Sequence, residues 1–558
     1  MDAEKRYKEW MNRLSETDPL REELAEIKGD EKEITDRFYR DIEFGTAGLR
    51  GICGAGTNRM NRLTVGRATQ GIANYILSTK KDPERGVVIA YDCRHFSREF
   101  SEQAAEILAG NGIRVYLFPS LRPTPELSFA LRKLGCISGI NMTASHNPRE
   151  YNGYKVYWED GAQISGAVSD GMQTEIEKLD YFDAPQRMAM EQAQASGKIV
   201  MLSADMDRAY LDYVESLSQH SGSELNLDIS AVYTPLNGAG SVPFMQMAEE
   251  RGFRNLHIVK EQKNPDPDFT TVPFPNPENP ENFAYAEKLG QKEEAELLIA
   301  TDPDSDRMAV EIRMEDGSYR FLNGNQTGAL LIYYLASSRK EKGTLTGKQA
   351  MIKSIVTGDF GRKICEDYGI HVFETLTGFK NICGKIPEVE KEGFQYFFGY
   401  EESIGCAPGE AVRDKDGICA GMLVLEMAAY YSARGMHMRD VLHALYEKYG
   451  YFKEDQVSIV EKGMEGAAKI QKIMDTFRNL SDDELTKRGI RIRIDYKNGW
   501  KDIPPQNAMK FIRTDGSWFA VRPSGTEPKL KLYFYSEDVS EKAAEEKLRS
   551  MKQMVLPL

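Results

Sequence analysis

The chain has no apolar run long enough to span a bilayer, and its opening residues, MDAEKRYKEW, are charged where a secretory leader would be apolar. Its 7 cysteines, at 53, 93, 136, 365, 383, 406 and 419, include no CxxC pair. An odd and dilute set of thiols fits reduced cysteines in a cytosol better than a disulfide frame. Basic excess is also missing. The formal net charge of -14 argues against a nucleic-acid or anionic-membrane surface, either of which would want a basic face. These absences lead us to expect a cytoplasmic chain with neither nucleic acid nor membrane as a partner; a monomer or small homo-oligomer is expected without a sequence feature that decides between them. They also require any site for an anionic substrate to be locally basic against the sign of the whole.

What is present is ordinary globular material: 558 residues, 41% apolar and 28% charged, too long for one core and too apolar for disorder. Residues 4–40 carry Tyr7, Trp10, Leu14, Ile34 and Phe38 near a 3.6 spacing, which predicts amphipathic helix. From residue 86 short apolar runs alternate with helical stretches. Gly86–Tyr91, Ile113–Phe118 and Cys136–Met142 are the first three strands. Ala231–Tyr233, Leu256–Val259 and Leu297–Ala300 follow, then Met351–Val356 and Tyr396–Gly399. This alternation signals β-α-β units with mostly parallel sheets. Three similar mixed α/β domains are expected at 1–205, 206–315 and 316–450. Ile490–Asp495 and Lys529–Phe534 instead alternate with period two and precede a charged helix near 540–553, so 451–558 reads as a smaller α+β domain with antiparallel strands. Residues 264–282, with six prolines among Asn, Asp and Glu, read as an extended loop.

Chemistry concentrates in the loops that follow the strands. Thr143-Ala144-Ser145-His146-Asn147-Pro148 holds one hydroxyl beside a histidine in a turn stiffened by proline. A serine-hydrolase elbow needs Gly-x-Ser-x-Gly, and here Thr143 and Asn147 stand in the glycine places. A phosphorylated serine reads better, because it would supply a dianionic ligand to a cation. Asp302, Asp304 and Asp306 alternate directly after a strand. Carboxylates this close repel unless a cation lies among them, and hard oxygen ligands suit Mg²⁺ or Ca²⁺. A calcium-hand loop fails, since Arg307 and Arg313 occupy the positions of its glycine and its glutamate. The bland alternative is a solvated turn whose aspartates cap a helix. Glu401-Glu402-Ser403 offers carboxylates and a hydroxyl suited to sugar hydroxyls. Arg522-Pro523-Ser524-Gly525-Thr526-Glu527-Pro528-Lys529 has backbone N–H groups, hydroxyls and a cation at each end, the equipment of a phosphate clamp.

Taken in order, Phe44–Gly51, Thr143–Pro148, Asp302–Arg307, Glu401–Gly405 and Arg522–Lys529 resemble the loops of the α-D-phosphohexomutase superfamily, phosphoglucomutase branch. The resemblance spans nearly the whole chain. It implies four domains around a central cleft, with Ser145 the phosphoserine and Mg²⁺ held by Asp302, Asp304, Asp306 and the Ser145 phosphate. It further implies that Arg307, Thr377, Gly378, Glu401 and Ser403 contact the substrate. Arg522, Ser524, Gly525, Thr526 and Lys529 would grip the phosphate that is not reacting. Arg50, His146 and Lys415 match positions near the reacting oxygens, from which the general acid and base would come. Where many relatives carry a histidine at the end of the sugar loop, this chain has Gly405, which shifts that burden toward Lys415 or His146.

The implied reaction moves a phosphoryl group between C1 and C6 of glucose phosphate, with glucose 1,6-bisphosphate as intermediate and activator. Closure of the last domain would keep water from the activated phosphate. A phosphomannomutase or phosphopentomutase would use the same chemistry. A sugar-phosphate binder without turnover would need neither Ser145 nor the three aspartates.

Overall fold

The computed structural model describes residues 3–45, 48–461, 463–523 and 529–556, without the side chains of 463–465 and 467. Two compact units emerge, one of Met1–Asn323 with Ser403–Gly435, the other of Gly324–Glu402 with Met436–Leu558. No helix among the described residues is long and apolar enough to cross a membrane.

In the first unit the amphipathic N-terminal stretch divides into helices Ala3–Arg13, Pro19–Glu26 and Glu31–Phe38. The breaks follow from local chemistry. Asp18 caps the second helix by accepting from the Leu20 N–H, with Pro19 at its first turn. Gly29, at φ +89°, precedes Asp30, which caps the third. The apolar faces meet in a cluster of Tyr7, Trp10, Leu14, Leu24, Ile34 and Phe38.

The first sheet runs in the order Gly48–Ile52, Tyr151–Trp158, Ser138–Met142, Val87–Tyr91, Val115–Leu117, Ile199–Met201. Its last four strands are parallel. Val87–Tyr91 and Ser138–Met142 are buried at every position; Val87–Tyr91 therefore reads as a plain apolar run, while Ser138–Met142 also buries Ser138 and Asn141. Tyr151–Trp158 returns antiparallel to Ser138–Met142, because the connection 143–150 is too short for the crossover that a parallel neighbour needs. The second sheet repeats this device in the order Tyr319–Leu322, Met308–Arg313, Leu297–Thr301, Ala231–Thr234, Leu256–Ile258. Its last three strands are parallel and Met308–Arg313 is antiparallel to Leu297–Thr301. The serine loop and the aspartate loop are thus the same structural feature, a hairpin turn at the C-terminal end of a central buried strand, where α/β sheets place their sites.

Two expected boundaries differ from the structure. The one after residue 205 cuts the helix Ala204–Ser216, and the one after 315 falls inside the second sheet, whose edge Tyr319–Leu322 pairs with Met308–Arg313. The segment Ser403–Gly435 also departs from its sequence neighbours. Its helix Gly417–Ser432 is buried almost all round and packs on helices Ala204–Ser216 and Ser241–Glu250 and on strands Leu297–Thr301 and Met308–Arg313.

In the second unit Gln349–Ser354 lies between parallel neighbours His371–Thr375 and Gln395–Glu401. The C-terminal part is an antiparallel sheet in the order Tyr451–Val460, Lys529–Asp538, Trp518–Pro523, Met509–Arg513, Ile490–Asp495, with helices Gly463–Arg478 and Glu541–Val555 over its core. The antiparallel pairing is as expected for the tail, but the single wet face is not: Met509–Arg513, Trp518–Pro523 and Lys529–Asp538 bury consecutive residues and so are covered on both faces, and Ile492 of Ile490–Asp495 is exposed.

Candidate active site

Ser145 sits in the left-handed region at φ +52°, 3% exposed. A strained non-glycine residue must be held by its surroundings, and the holding groups are specific. The Ser145 N–H donates to Thr143 Oγ1 at 2.8 Å, and Thr143 Oγ1 donates to Asp92 Oδ2 at 2.6 Å. Arg94, fully buried against Asp92 at 3.3 Å, donates to the carbonyls of Ser145, Pro148 and Tyr151 at 2.6, 2.8 and 3.0 Å, and also to that of Asn147. One guanidinium therefore ties together both sides of the turn. Behind it lies the Phe269 ring, 4.9 Å from the guanidinium carbon.

The Ser145 Oγ donates to Asp302 Oδ2 at 2.7 Å and lies 3.1 Å from His146 Nδ1. Asp302, Asp304 and Asp306 are all buried, each offering an oxygen within 4.8 Å of the others. Most of their other oxygens are engaged. Asp302 Oδ1 accepts from the Arg307 N–H at 2.9 Å. Asp304 Oδ2 accepts from Thr124 Oγ1 at 2.7 Å and Lys155 Nζ at 2.6 Å. Asp306 Oδ2 pairs with Lys155 and Lys415, each at 3.2 Å. Asp304 Oδ1 and Asp306 Oδ1 are buried with no hydrogen-bond partner among the described residues. Two orphaned carboxylate oxygens beside a third carboxylate and a serine hydroxyl are a donor set for a hard divalent cation.

The electrostatics agree. Burial, followed by the charges of Asp304 and Asp306, pushes the Asp302 carboxyl well above the ordinary aspartate range. Burial, reinforced by Arg307 and Arg50, holds the His146 imidazole well below its ordinary value and therefore neutral. Burial disfavours a charge on Lys415, yet Asp306 and Asp414 outweigh it and raise its pKa. Asp414 is fixed in turn by Tyr157 Oη and Gln163 Nε2, each at 2.9 Å. Gly417 lets this loop touch the aspartate loop: a Cβ there would lie 2.7 Å from both the Ser305 and the Arg307 carbonyl oxygens. Arg50, on strand Gly48–Ile52, reaches Asn147 Oδ1 at 3.2 Å.

Phosphoglucomutase/phosphomannomutase models match four stretches of the chain in order: α/β/α domain I at 41–182, α/β/α domain II at 208–314, α/β/α domain III at 323–449 and the C-terminal domain at 458–550. The chain belongs to the phosphoglucomutase/phosphomannomutase family. It is 36% identical over 507 residues to a phosphoglucomutase of Staphylococcus epidermidis, covering 88% of this chain and 90% of the relative. It is 34% identical over 536 residues to one of Staphylococcus aureus, covering 94% of each. Among solved structures, a phosphoglucomutase/phosphomannomutase family protein of Burkholderia thailandensis (TM-score 0.67, 19% identity, 92% of this chain and 97% of that one) shares the fold. So does the open form of pp63/parafusin, a phosphoglucomutase of Paramecium (TM-score 0.68, 19% identity, 93% and 95%).

In this phosphohexomutase Thr377, Gly378, Glu401, Arg522 and Lys529 lie in the second unit. Glu401 Oε1 accepts from the Gly378 N–H at 2.7 Å, and Arg522 Nη1 donates to Thr377 Oγ1 at 2.6 Å. The structure thus brings together Thr377, Gly378, Glu401 and Arg522. Glu402, the second carboxylate of that loop, accepts from Thr357 Oγ1 at 2.9 Å, and burial with the neighbouring Glu401 pushes its carboxyl up to about 7. Lys529 opens strand Lys529–Asp538. Ser403 is half-buried in the turn that begins the Ser403–Gly435 segment of the first unit. Ser524, Gly525 and Thr526 lie outside the described residues, as do Thr46 and Ala47 of the Phe44–Gly51 motif. Sequence reading missed Arg94, Asp92, Thr124 and Lys155. Two signals were available: Asp92 directly follows the buried strand Val87–Tyr91, and Lys155 is the one charge in the strand Tyr151–Trp158.

Proposed function

We propose that this family member interconverts glucose 1-phosphate and glucose 6-phosphate through a phosphoserine at Ser145 and a glucose 1,6-bisphosphate intermediate, with Mg²⁺ at the three aspartates. The observation that carries the reading is the Ser145 Oγ, 2.7 Å from Asp302, beside two buried carboxylate oxygens that lack partners. A binder without turnover has no use for that arrangement. Bound there, the cation would neutralise charge on the moving phosphoryl group.

The rest falls to the chain. In the first transfer the phosphoserine P–O bond breaks as a sugar hydroxyl oxygen bonds to phosphorus. The hydroxyl proton must leave and the serine oxygen must have its charge relieved. Neutral His146, with Nδ1 at 3.1 Å from the Oγ, is suited to carry a proton at this oxygen. Lys415 and Lys155 stay charged and offset the triad's negative charge. Arg50 and Arg307 lend the local positive charge that a phosphate needs in an acidic protein. Glu401 with Gly378, and Arg522 with Thr377 and Lys529, would hold the sugar and its distal phosphate.

The deciding assay offers glucose 1-phosphate, mannose 1-phosphate and ribose 1-phosphate side by side, with catalytic bisphosphate. Glucose 1-phosphate is expected to show the highest kcat/KM; a preference for the mannose or ribose ester would reassign the substrate. Arg94 supplies a second test. Arg94→Lys keeps the charge but loses the fork that serves several carbonyls. Misplacing the nucleophile should lower kcat by about 10–100-fold with KM little changed. Steady-state kinetics showing an unaltered kcat would remove Arg94 from the positioning of Ser145.

A further inference from the structure

The proline-rich segment 264–282 supplies Phe269 behind Arg94, and it reaches the reacting centre at two further points. The Phe274 ring, 40% exposed, stands edge-on to the His146 ring with centroids 6.3 Å apart. Four residues on, Glu278 Oε2 pairs with Arg307 Nη1 at 3.3 Å. The segment is held in place. Asn282 Nδ2 donates to the carbonyls of Phe274 and Asn276 at 2.9 and 2.7 Å, Asn276 is itself buried, and the Glu278 N–H donates to Asn276 Oδ1 at 3.1 Å. Prolines at 273, 275, 277 and 280 limit its backbone further. Glu278 is therefore presented to Arg307 by a prepared scaffold.

A carboxylate aimed at an arginine where a phosphate dianion must bind works against the substrate. The ion pair is also weak. At 3.3 Å it is longer than a charge-assisted bond at its best, and the side chains are 19% and 36% exposed. A phosphate that engages the guanidinium with two oxygens can displace it. The reaction itself supplies a reason for such a competitor. The bisphosphate must give up its grip on the reacting centre, turn end for end and bind again, and a clamp with no alternative partner would hold it fast.

We propose that Glu278 is a latch on Arg307, a competing carboxylate that takes the guanidinium back whenever the reacting phosphate lets go, and so speeds the turnover of the bisphosphate. The inference rests on the reading of Arg307 as a phosphate-binding residue. Glu278 acts through Arg307 and is a positioning residue.

Glu278→Gln removes the competing charge at constant size. KM for glucose 1-phosphate and kcat should both fall, each by about two- to fivefold, the size expected for a partly exposed ion pair. In the Ser145→Ala background, where no phosphoryl group moves, the same change should tighten glucose 1,6-bisphosphate binding by about two- to fivefold in a calorimetric titration. A role confined to holding the loop would raise KM and weaken binding. Because the binding measurement needs no turnover, it decides the matter even for a variant that is slow for another reason. Glu278→Asp, with its charge drawn back by one methylene, should move in the same direction. Unchanged or weaker bisphosphate binding in Glu278→Gln overturns the latch alone. Failure of the Ser145→Ala protein to bind bisphosphate at all overturns the reading of the site together with the latch.

Discussion

Replacing Ser145 with alanine should reduce mutase turnover by roughly 10⁴-fold or more, because the variant has no oxygen on which to hold the phosphoryl group between sugars. The geometry makes the expectation specific. The Oγ is the only atom removed, and it makes the 2.7 Å bond to Asp302 and the 3.1 Å contact to His146. The backbone bonds from Ser145 N–H to Thr143 and from Arg94 to the Ser145 carbonyl do not involve the side chain, so the turn should keep its shape. Two measurements separate chemistry from folding. Intact-protein mass spectrometry after incubation with glucose 1,6-bisphosphate should show one added phosphate on the wild type and none on the variant, with peptide mapping to Ser145. Calorimetry should show that the variant still binds the bisphosphate. Activity within tenfold of wild type, or a phosphate mapped to another residue, would remove Ser145 from the centre of the mechanism.

The residues legible in the sequence are those whose chemistry is contiguous. Thr143 to Pro148 and Asp302 to Arg307 each announce a strand end followed by polar groups that a loop alone does not need, and both proved to be hairpin turns closing on one another. The strand before the aspartates was equally plain, since burial on both faces leaves Leu297–Ala300 an unbroken apolar run, whereas Ser138–Met142, just as buried, includes Ser138 and Asn141. The missing residues are those whose meaning lies in long-range pairing. Lys155 meets Asp304 across 149 positions, and Thr124 meets it across 180. In the sequence Lys155 is only a charge inside an apolar strand, and Thr124 only the start of a helix. Arg94 looks like a surface charge before a helix until its guanidinium is seen buried among carbonyls. The same limit explains the boundary at 315 and the helix Gly417–Ser432: a hydrophobic pattern shows that a face is buried but not which neighbour buries it.

Removing the cation, or one of its ligands, should have the next largest effect. Asp304→Asn is the sharpest form of the test, because the wild-type carboxylate works on two sides at once. Oδ2 faces the Thr124 hydroxyl and the Lys155 ammonium, and Oδ1 is buried without a partner. An asparagine must place its NH₂ on one of these sides. Turned toward Oδ2 it would set donor against donor at Lys155 and Thr124; turned toward Oδ1 it would set a donor where the cation needs an oxygen. Either way the site loses charge as well, and activity should fall by about 10²–10³-fold. The Mg²⁺ concentration for half-maximal activity should rise by at least about tenfold. Chelation of the wild-type protein should abolish turnover, and Mg²⁺ should restore it. Lys155 sharpens the contrast: burial alone would lower its pKa, but Asp304 and Asp306 raise it, so its charge depends on the triad. A variant that titrates with magnesium like the wild type would show that the orphaned oxygens serve the fold alone. Loss of magnesium dependence with retained turnover would instead assign charge neutralisation to Lys155 and Lys415, the two cations already paired with Asp306.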